Sequence, residues 1–186
     1  VVGPLGNPTH IENFGTVLCA GGGVGVAPML PIIKALKAAG NRVLSVIAGR
    51  SKDLVIMEDE VRASSDELII MTDDGSYGEK GVVTVGMEKL IQQEHIDKAF
   101  AIGPPIMMKF CCLLTQKYNL PTDVSLNTIM VDGTGMCGAC RLTISGKTKF
   151  VCIDGPEFDG ALVDWDEMFK RMGTFKDVER EEMEHF

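Results

Sequence analysis

Apolar residues in this chain fall into short unbroken runs, separated by stretches with helical spacing. Residues 16–20 (TVLCA) form the first run and end in a glycine cluster, as a strand buried on both faces does. Helical spacing follows over 28–39 and stops at Gly40-Asn41. Further strands are predicted at 43–48, 68–72, 98–102 and 124–129. Helix-prone segments at 54–63, 84–92 and 105–118 lie between them. Strands alternating with helices predict an α/β fold: a five-stranded parallel sheet with helices on both faces.

The pattern changes after residue 130. From 131 to 160 there are short strands, glycines close to cysteines and no long helix, which predicts a small C-terminal subdomain. The stretch 161–186 reads as a charged helical tail, with Trp165, Met168, Phe169 and Met172 on one face as a packing stripe. Residues 1–14 (VVGPLGNPTHIENF) read as a connecting segment entering from a preceding domain, since the chain opens on Val1. The expected division is therefore 1–14, 15–130, 131–160 and 161–186.

Composition narrows the function. Hydrophobic residues make up 45% of the 186, enough for a core of ordinary size and too many for disorder. The net charge of −8 comes with no basic block, so no nucleic-acid partner is expected. No apolar run is long enough to span a bilayer and no signal-peptide pattern opens the chain. Of the six cysteines, Cys19 lies in an apolar strand and Cys111 and Cys112 in a helix, while the other three fall close together. Three packing thiols and three ligands fit a reducing, cytoplasmic location better than disulfides do.

Gly21, Gly22, Gly23, Val24 and Gly25 lie between the first strand and its helix, where ligands sit in an open parallel sheet. Missing Cβ atoms let a diphosphate approach backbone N–H groups at a helix start, and Pro28 suits the first turn. Gly103, Pro104 and Pro105 form a second loop of the same kind, after the fourth strand. Two such loops predict a Rossmann-like NAD(P)-binding domain, although the sixth fingerprint position is Val26 rather than glycine. Arg50 and Lys52, after the second strand, would accommodate a 2′-phosphate or stand as solvated loop charges, which leaves NAD and NADP both open.

The most specific signal is Asp132-x4-Cys137-x2-Cys140, with Cys152 after eleven further residues. It reproduces the C-x4-C-x2-C spacing and distant fourth cysteine of plant-type [2Fe–2S] sites, with Asp132 in the first position. Gly133, Gly135, Gly138 and Ala139 would let the backbone wrap inorganic sulfides. A structural zinc would usually show a second C-x2-C or a nearby histidine, and His10, His95 and His185 are remote in sequence. Asp132 is read as the fourth ligand; the alternative is a turn residue with an external group completing the site.

Glycine loop, Gly-Pro-Pro loop and C-terminal cysteine loop, in this order, resemble the ferredoxin–NADP reductase superfamily. GPLGNP (3–8), GGGVGVAP (21–28), TDDGSYGEKG (72–81), GPPIMMK (103–109) and CIDGPEFDG (152–160) are similar to the electron-transfer subunits of dihydroorotate dehydrogenase. Within that group VDGTGMCGACR (131–141) resembles the small subunits of NADH-dependent reduced ferredoxin:NADP oxidoreductase, where one Asp and three Cys hold the cluster. Many superfamily members carry Cys where this chain has Ile102. The resemblance implies NAD(P)H, FAD in a preceding barrel domain, a [2Fe–2S] cluster, a larger flavin and iron–sulfur partner subunit, and ferredoxin. It implies an oxidoreductase subunit in which cofactors carry the chemistry, with no acid–base residue assigned and this part alone inactive. The alternatives are an electron-transfer subunit of a dihydroorotate dehydrogenase or hydrogenase, and a non-catalytic nucleotide-binding domain with structural zinc.

Overall fold

A computed structural model describes residues 3–184; Val1, Val2, His185 and Phe186, to which the expected connecting segment and tail extend, lie outside the described residues. The chain divides into two compact bodies. The first comprises Pro8–Ser125 with Asp159–Ala161, and the second comprises residues 3–7, Leu126–Phe158 and 162–184.

In the first body the apolar runs become parallel strands β1 (Thr16–Gly22), β2 (Arg42–Gly49), β3 (Glu67–Thr72), β4 (Glu79–Lys80), β5 (Lys98–Ile102) and β6 (Thr122–Ser125). Helices α1 (Val26–Ala38), α2 (Glu58–Ser64), α3 (Val83–Gln93) and α4 (Pro105–Lys117) connect them. The strand order β4-β3-β2-β1-β5-β6 reverses direction between β1 and β5, so the loops leaving these two strands flank one crevice.

Alternation along the strands decides which helix covers which face. Val17, Cys19, Val43, Ile47, Ile70, Phe100 and Ile102 pack with Met29, Ile33 and Leu36 of α1 and Val61 of α2. On the opposite face α3 approaches closely at Gly86, whose Cβ would lie 2.8 Å from Val46 Cγ1 and 3.3 Å from Ile69 Cγ2. The stop signal Gly40-Asn41 works through the buried Asn41 side chain. Its Oδ1 accepts from Phe14 N (2.7 Å) and Gly15 N (3.2 Å), and its Nδ2 donates to Glu12 O and Leu36 O (2.8 Å each). Cys19, Cys111 and Cys112 are buried thiols; burial alone pushes Cys19 up to about 12, and mainly burial pushes Cys112 to about 12. They stay neutral and serve packing.

In the second body β7 (Arg141–Ile144) and β8 (Lys147–Phe150) form an antiparallel hairpin, followed by the one-turn helix α5 (Val151–Asp154). Strand β9 (Glu157–Asp159) comes next in the chain, and the first body itself carries the six parallel strands β1 to β6 in place of the five expected. Helix α6 (Trp165–Met172) is capped by Asp164, whose carboxylate accepts from Glu167 N, and it buries Met168 completely. Helix α7 (Lys176–Glu184) follows, so the helical tail consists of two helices separated at Gly173.

One boundary also moves. The fifth expected strand, 124–129, ends at Ser125. Beyond it Leu126 N donates to Pro156 O (2.9 Å), and the Thr128 hydroxyl donates to Cys140 O (3.4 Å). Past Ser125 the chain thus bonds to the segment around Cys140 and Pro156 instead of to a neighbouring strand. Among the described residues, no helix is long and apolar enough to cross a membrane.

Candidate metal centre and nucleotide-binding loops

The cysteine loop lacks regular structure from 126 to 140. Its course is set by glycines at positive φ, with Gly133 at +74°, Gly135 at +84° and Gly138 at +68°. A side chain at Gly135 would also collide with Ile153, which lies 2.8 Å from the position a Cβ would take.

Asp132 stands at the head of the loop with both carboxylate oxygens engaged. Oδ1 accepts from Thr134 N at 2.9 Å and Oδ2 from Cys137 N at 3.0 Å. These bonds, that from Thr134 first, hold the exposed carboxyl below the usual carboxylate range. Cys137 is exposed, and its Sγ accepts from Ala139 N at 3.4 Å. Cys140 and Cys152 are buried with their sulfurs 3.3 Å apart. Burial, together with Cys140 beside it, pushes the Cys152 thiol up.

The four expected ligands thus form two pairs, Asp132 with Cys137 and Cys140 with Cys152. Among the described residues, no three His, Cys, Asp or Glu groups meet as one set that could hold a metal ion.

Residues outside the spacing pattern brace this loop, and sequence reading did not single them out. Arg171 of α6 donates to Ala139 O at 2.9 Å, and Arg141 donates to Gly138 O at 3.0 Å. The packing stripe of the tail therefore sits beside a cation that holds the loop. Asn7 donates from Nδ2 to Asp154 O (2.8 Å) and Ile153 O (3.3 Å), and from its backbone to Gly155 O (2.7 Å). Gly6, at φ +76°, lies against Gly155 O, 2.6 Å from where its Cβ would stand. The GPLGNP motif, read as a connection, is thereby anchored on the turn after Cys152. Its legible signal was a pair of glycines and prolines around one asparagine.

In the first body the glycine loop runs from the end of β1 through a 3-10 turn, Gly23–Gly25, into α1. The helix opens at Val26, so Pro28 is its third residue and is exposed. Most of these glycines are small because protein presses on them. A Cβ at Gly21 would meet Met29 Cε at 2.5 Å, and one at Gly25 would meet Ile102 O at 2.5 Å. Gly23 differs: φ is +53° and nothing lies within 4 Å of its Cβ direction, while Val24 beside it is 82% exposed. Open space therefore lies at Gly23 rather than along the whole loop.

The second loop is built the same way. Pro104 caps α4 and Pro105 takes its first position, where the absent N–H costs nothing. A Cβ at Gly103 would lie 3.1 Å from Gly22 N, so the two loops touch through their glycines. Arg50 is exposed, and its carbonyl accepts from Asp74 N at 3.2 Å. Lys52 Nζ lies 5.4 Å from the centre of the Tyr77 ring. That contact gives Lys52 a place beside an aromatic face.

Comparison with known proteins agrees with this architecture. Residues 127–164, which hold all four expected ligands, match the iron–sulfur cluster binding domain of dihydroorotate dehydrogenase B. Over 186 residues the chain is 56% identical to a dihydroorotate dehydrogenase B (NAD(+)) electron transfer subunit homolog of Thermotoga maritima, covering 100% of this chain and 66% of that protein. It is 37% identical over 158 residues to a probable electron transfer subunit of the same enzyme from Methanopyrus kandleri, covering 85% and 59%. The solved structure of an NADH-dependent reduced ferredoxin–NADP oxidoreductase, described in connection with flavin-based electron bifurcation, superposes with a TM-score of 0.92 at 53% identity. That match covers 100% of this chain and 67% of the solved one.

These likenesses define a class, the electron-transfer subunits of oxidoreductases. The chain belongs to the family of dihydroorotate dehydrogenase B and ferredoxin–NADP oxidoreductase-type electron-transfer subunits. It spans about two thirds of the length of the first relative, and rather less of the second.

Proposed function

We propose that this chain is the nucleotide-binding and iron–sulfur part of an oxidoreductase that moves electrons between NAD(P)H, FAD and a [2Fe–2S] cluster, toward a larger flavin and iron–sulfur subunit and ferredoxin. The observation that carries this reading is the interval Asp132-x4-Cys137-x2-Cys140 with Cys152, inside a segment that matches an iron–sulfur family, with Cys140 and Cys152 already side by side. Residues 131–160 form the cluster subdomain in this reading and 15–130 the NAD(P)-binding domain. Residues 1–14 lead in from the FAD-binding part of the whole protein, and 161–186 form a tail.

The residues present suit such a cluster. Three thiols and one carboxylate make a four-ligand set, and the carboxylate is already held ionised by backbone N–H groups. The N–H···S bond from Ala139 to Cys137 is of the kind that tunes cluster potential. When bound, a [2Fe–2S] cluster supplies one-electron transfer. Asp132, Cys137, Cys140 and Cys152 would hold it, and Arg171 and Arg141 would fix the backbone carbonyls of the loop. At the other site the backbone around Gly23 and the start of α1 would face the diphosphate of the nucleotide, with its ring carried toward Gly103 and Pro104. Arg50 stands on the ribose side of that crevice in the same reading.

A second reading, an electron-transfer subunit of dihydroorotate dehydrogenase itself, is favoured by the names of the relatives from Thermotoga and Methanopyrus. Asp132 argues for the first, because the dihydroorotate type resembles this chain with Cys at that place. Metal and sulfide analysis of the oxygen-protected whole protein tests both readings against a structural zinc. Two irons and two acid-labile sulfides at this site are expected, and one zinc with no sulfide would overturn them. NADH-dependent ferredoxin and NADP turnover, against dihydroorotate turnover, then separates the two.

A further inference from the structure

The two nucleotide-facing loops share an occupant that neither motif announces. Gly22, at the end of β1, and Gly103, after β5, both turn their missing side chains toward Met107, the third residue of α4. A Cβ at Gly22 would overlap Met107 Sδ, and one at Gly103 would lie 2.8 Å from Met107 Cε and 3.0 Å from Sδ. Pro104 Cδ closes the same notch, 3.3 Å from the Gly22 direction. Because β1 and β5 are neighbours, with Gly21 paired to Ile102, this notch lies at the strand-order reversal.

Met107 is not there to fill the core. Its neighbour Met108 is completely buried, whereas Met107 is only half-buried and Ile106 is 52% exposed. An unbranched thioether with three rotatable bonds adapts to irregular gaps and leaves them at small cost. The two glycines beside it have no side chains with which to lock it in place.

We propose that Met107 is a displaceable plug of the nucleotide crevice and thereby a determinant of its affinity: the thioether rests in the notch between Gly22 and Gly103 and swings out when a dinucleotide enters. The inference rests on the nucleotide-binding reading above. A crevice closed in roughly four molecules of five weakens apparent binding about fivefold, since affinity scales with the competent fraction. Met107→Ala opens the notch permanently. Met107→Ile puts a β-branched side chain, stiff at χ1 within a helix, in the same place and cannot swing.

The test is equilibrium titration of the whole protein with NADH and, separately, NADPH, following quenching of protein or nucleotide fluorescence, with thermal unfolding as a check on folding. The dissociation constant for the preferred nucleotide falls about fivefold in Met107→Ala. It rises at least about tenfold in Met107→Ile, while the flexible Met107→Leu stays within about twofold. A residue that only supports the loops would weaken binding in both Ala and Ile variants. That result, or no change in either while the wild type binds, overturns the plug. A wild type that binds neither nucleotide overturns the nucleotide-binding reading itself, and the plug with it.

Discussion

The two bodies of this chain are held in shape by different physics. In Pro8–Ser125 the central strands β1, β2 and β5 are mostly buried, and the residues that hold the sheet, such as Leu18, Leu44 and Phe100, have essentially no contact with solvent. Hydrophobic burial, at roughly 25 cal/mol per Å2 of apolar surface, is sufficient reason for that body to fold. The cysteine loop of the second body has no ladder hydrogen bonds and exposes Val131 (73%) and Met136 (87%). It is shaped by left-handed glycines, by two backbone N–H bonds to the Asp132 carboxylate, and by bonds from Arg141 and Arg171 to loop carbonyls. One region is specified by pattern, the other by a few polar contacts and, in the function proposed, by a metal group that ties four ligands together. Binding free energy of such a group becomes folding free energy for the loop that holds it.

The largest effect should come from removing the cluster that the proposed function places in the second body. Chelation of the whole protein under anaerobic conditions is expected to speed amide hydrogen exchange over 127–140 by on the order of a hundredfold, while amides of β1, β2 and β5 keep their protection. Equal loosening of both regions would mean that the loop and the sheet depend on one cooperative core.

Next in size is Phe100→Ala. This ring is 1% exposed and lies within the α1 face of the sheet, so its loss should cost about 3–5 kcal/mol in denaturant unfolding. Met136→Ala, in the exposed loop, should stay within about 0.5 kcal/mol. Similar costs at the two positions would contradict the division of labour.

Gly25→Ala tests whether glycines in the first loop serve packing. The added Cβ meets Ile102 O and the Gly103 backbone at 2.5–2.7 Å, and backbone cannot step aside. About 1–3 kcal/mol of destabilisation is expected by the same measurement. Gly23 differs again, since space is open there and only its φ of +53° resists a side chain.

The smallest effect concerns pH. Lys37 Nζ lies 2.6 Å from both oxygens of Asp66, and Val43 N donates to Oδ2 at 2.8 Å. The Lys37 bond first, then the Val43 amide, holds this carboxyl below its ordinary value. A lowered carboxylate contributes stability that is complete above the unfolded value near 3.9 and disappears as pH falls through the folded one. Asp66→Asn should therefore cost about 1–2 kcal/mol at pH 7, and the gap between variant and parent should narrow below about pH 4. A gap independent of pH would mean that the ion pair adds nothing.

The same contrast explains what the sequence disclosed. Strands and helices of the first body were legible because apolar runs and helical spacing report burial directly, and β1, β2, β3 and β5 fall where those runs predict. The run 124–129 misled because past Ser125 the chain turns to hydrogen bonds with Pro156 O and Cys140 O, and periodicity carries no information about a hydrogen-bond partner. The glycines of 21–25 were visible as a motif, yet their reason was not. Only three-dimensional proximity shows that Gly21 yields to Met29, Gly22 to Met107 and Gly25 to the Ile102 carbonyl, leaving Gly23 open. Likewise the spacing of Asp132, Cys137, Cys140 and Cys152 can be read from sequence. Arg171 is far along the chain from the Ala139 carbonyl it holds, and Asn7 from the turn after Cys152, so no interval reveals them.

In the proposed function one oxygen of Asp132 and the three sulfurs of Cys137, Cys140 and Cys152 hold two irons. The most direct measurement is the electron paramagnetic resonance spectrum, with iron and sulfide content, of the dithionite-reduced whole protein and its Asp132→Cys and Asp132→Ala variants, all prepared without oxygen. Asp132→Cys is expected to keep two irons at this site with altered g-values, while Asp132→Ala loses the signal or most of the iron. An Asp132→Ala spectrum and iron content indistinguishable from the wild type would contradict that expectation.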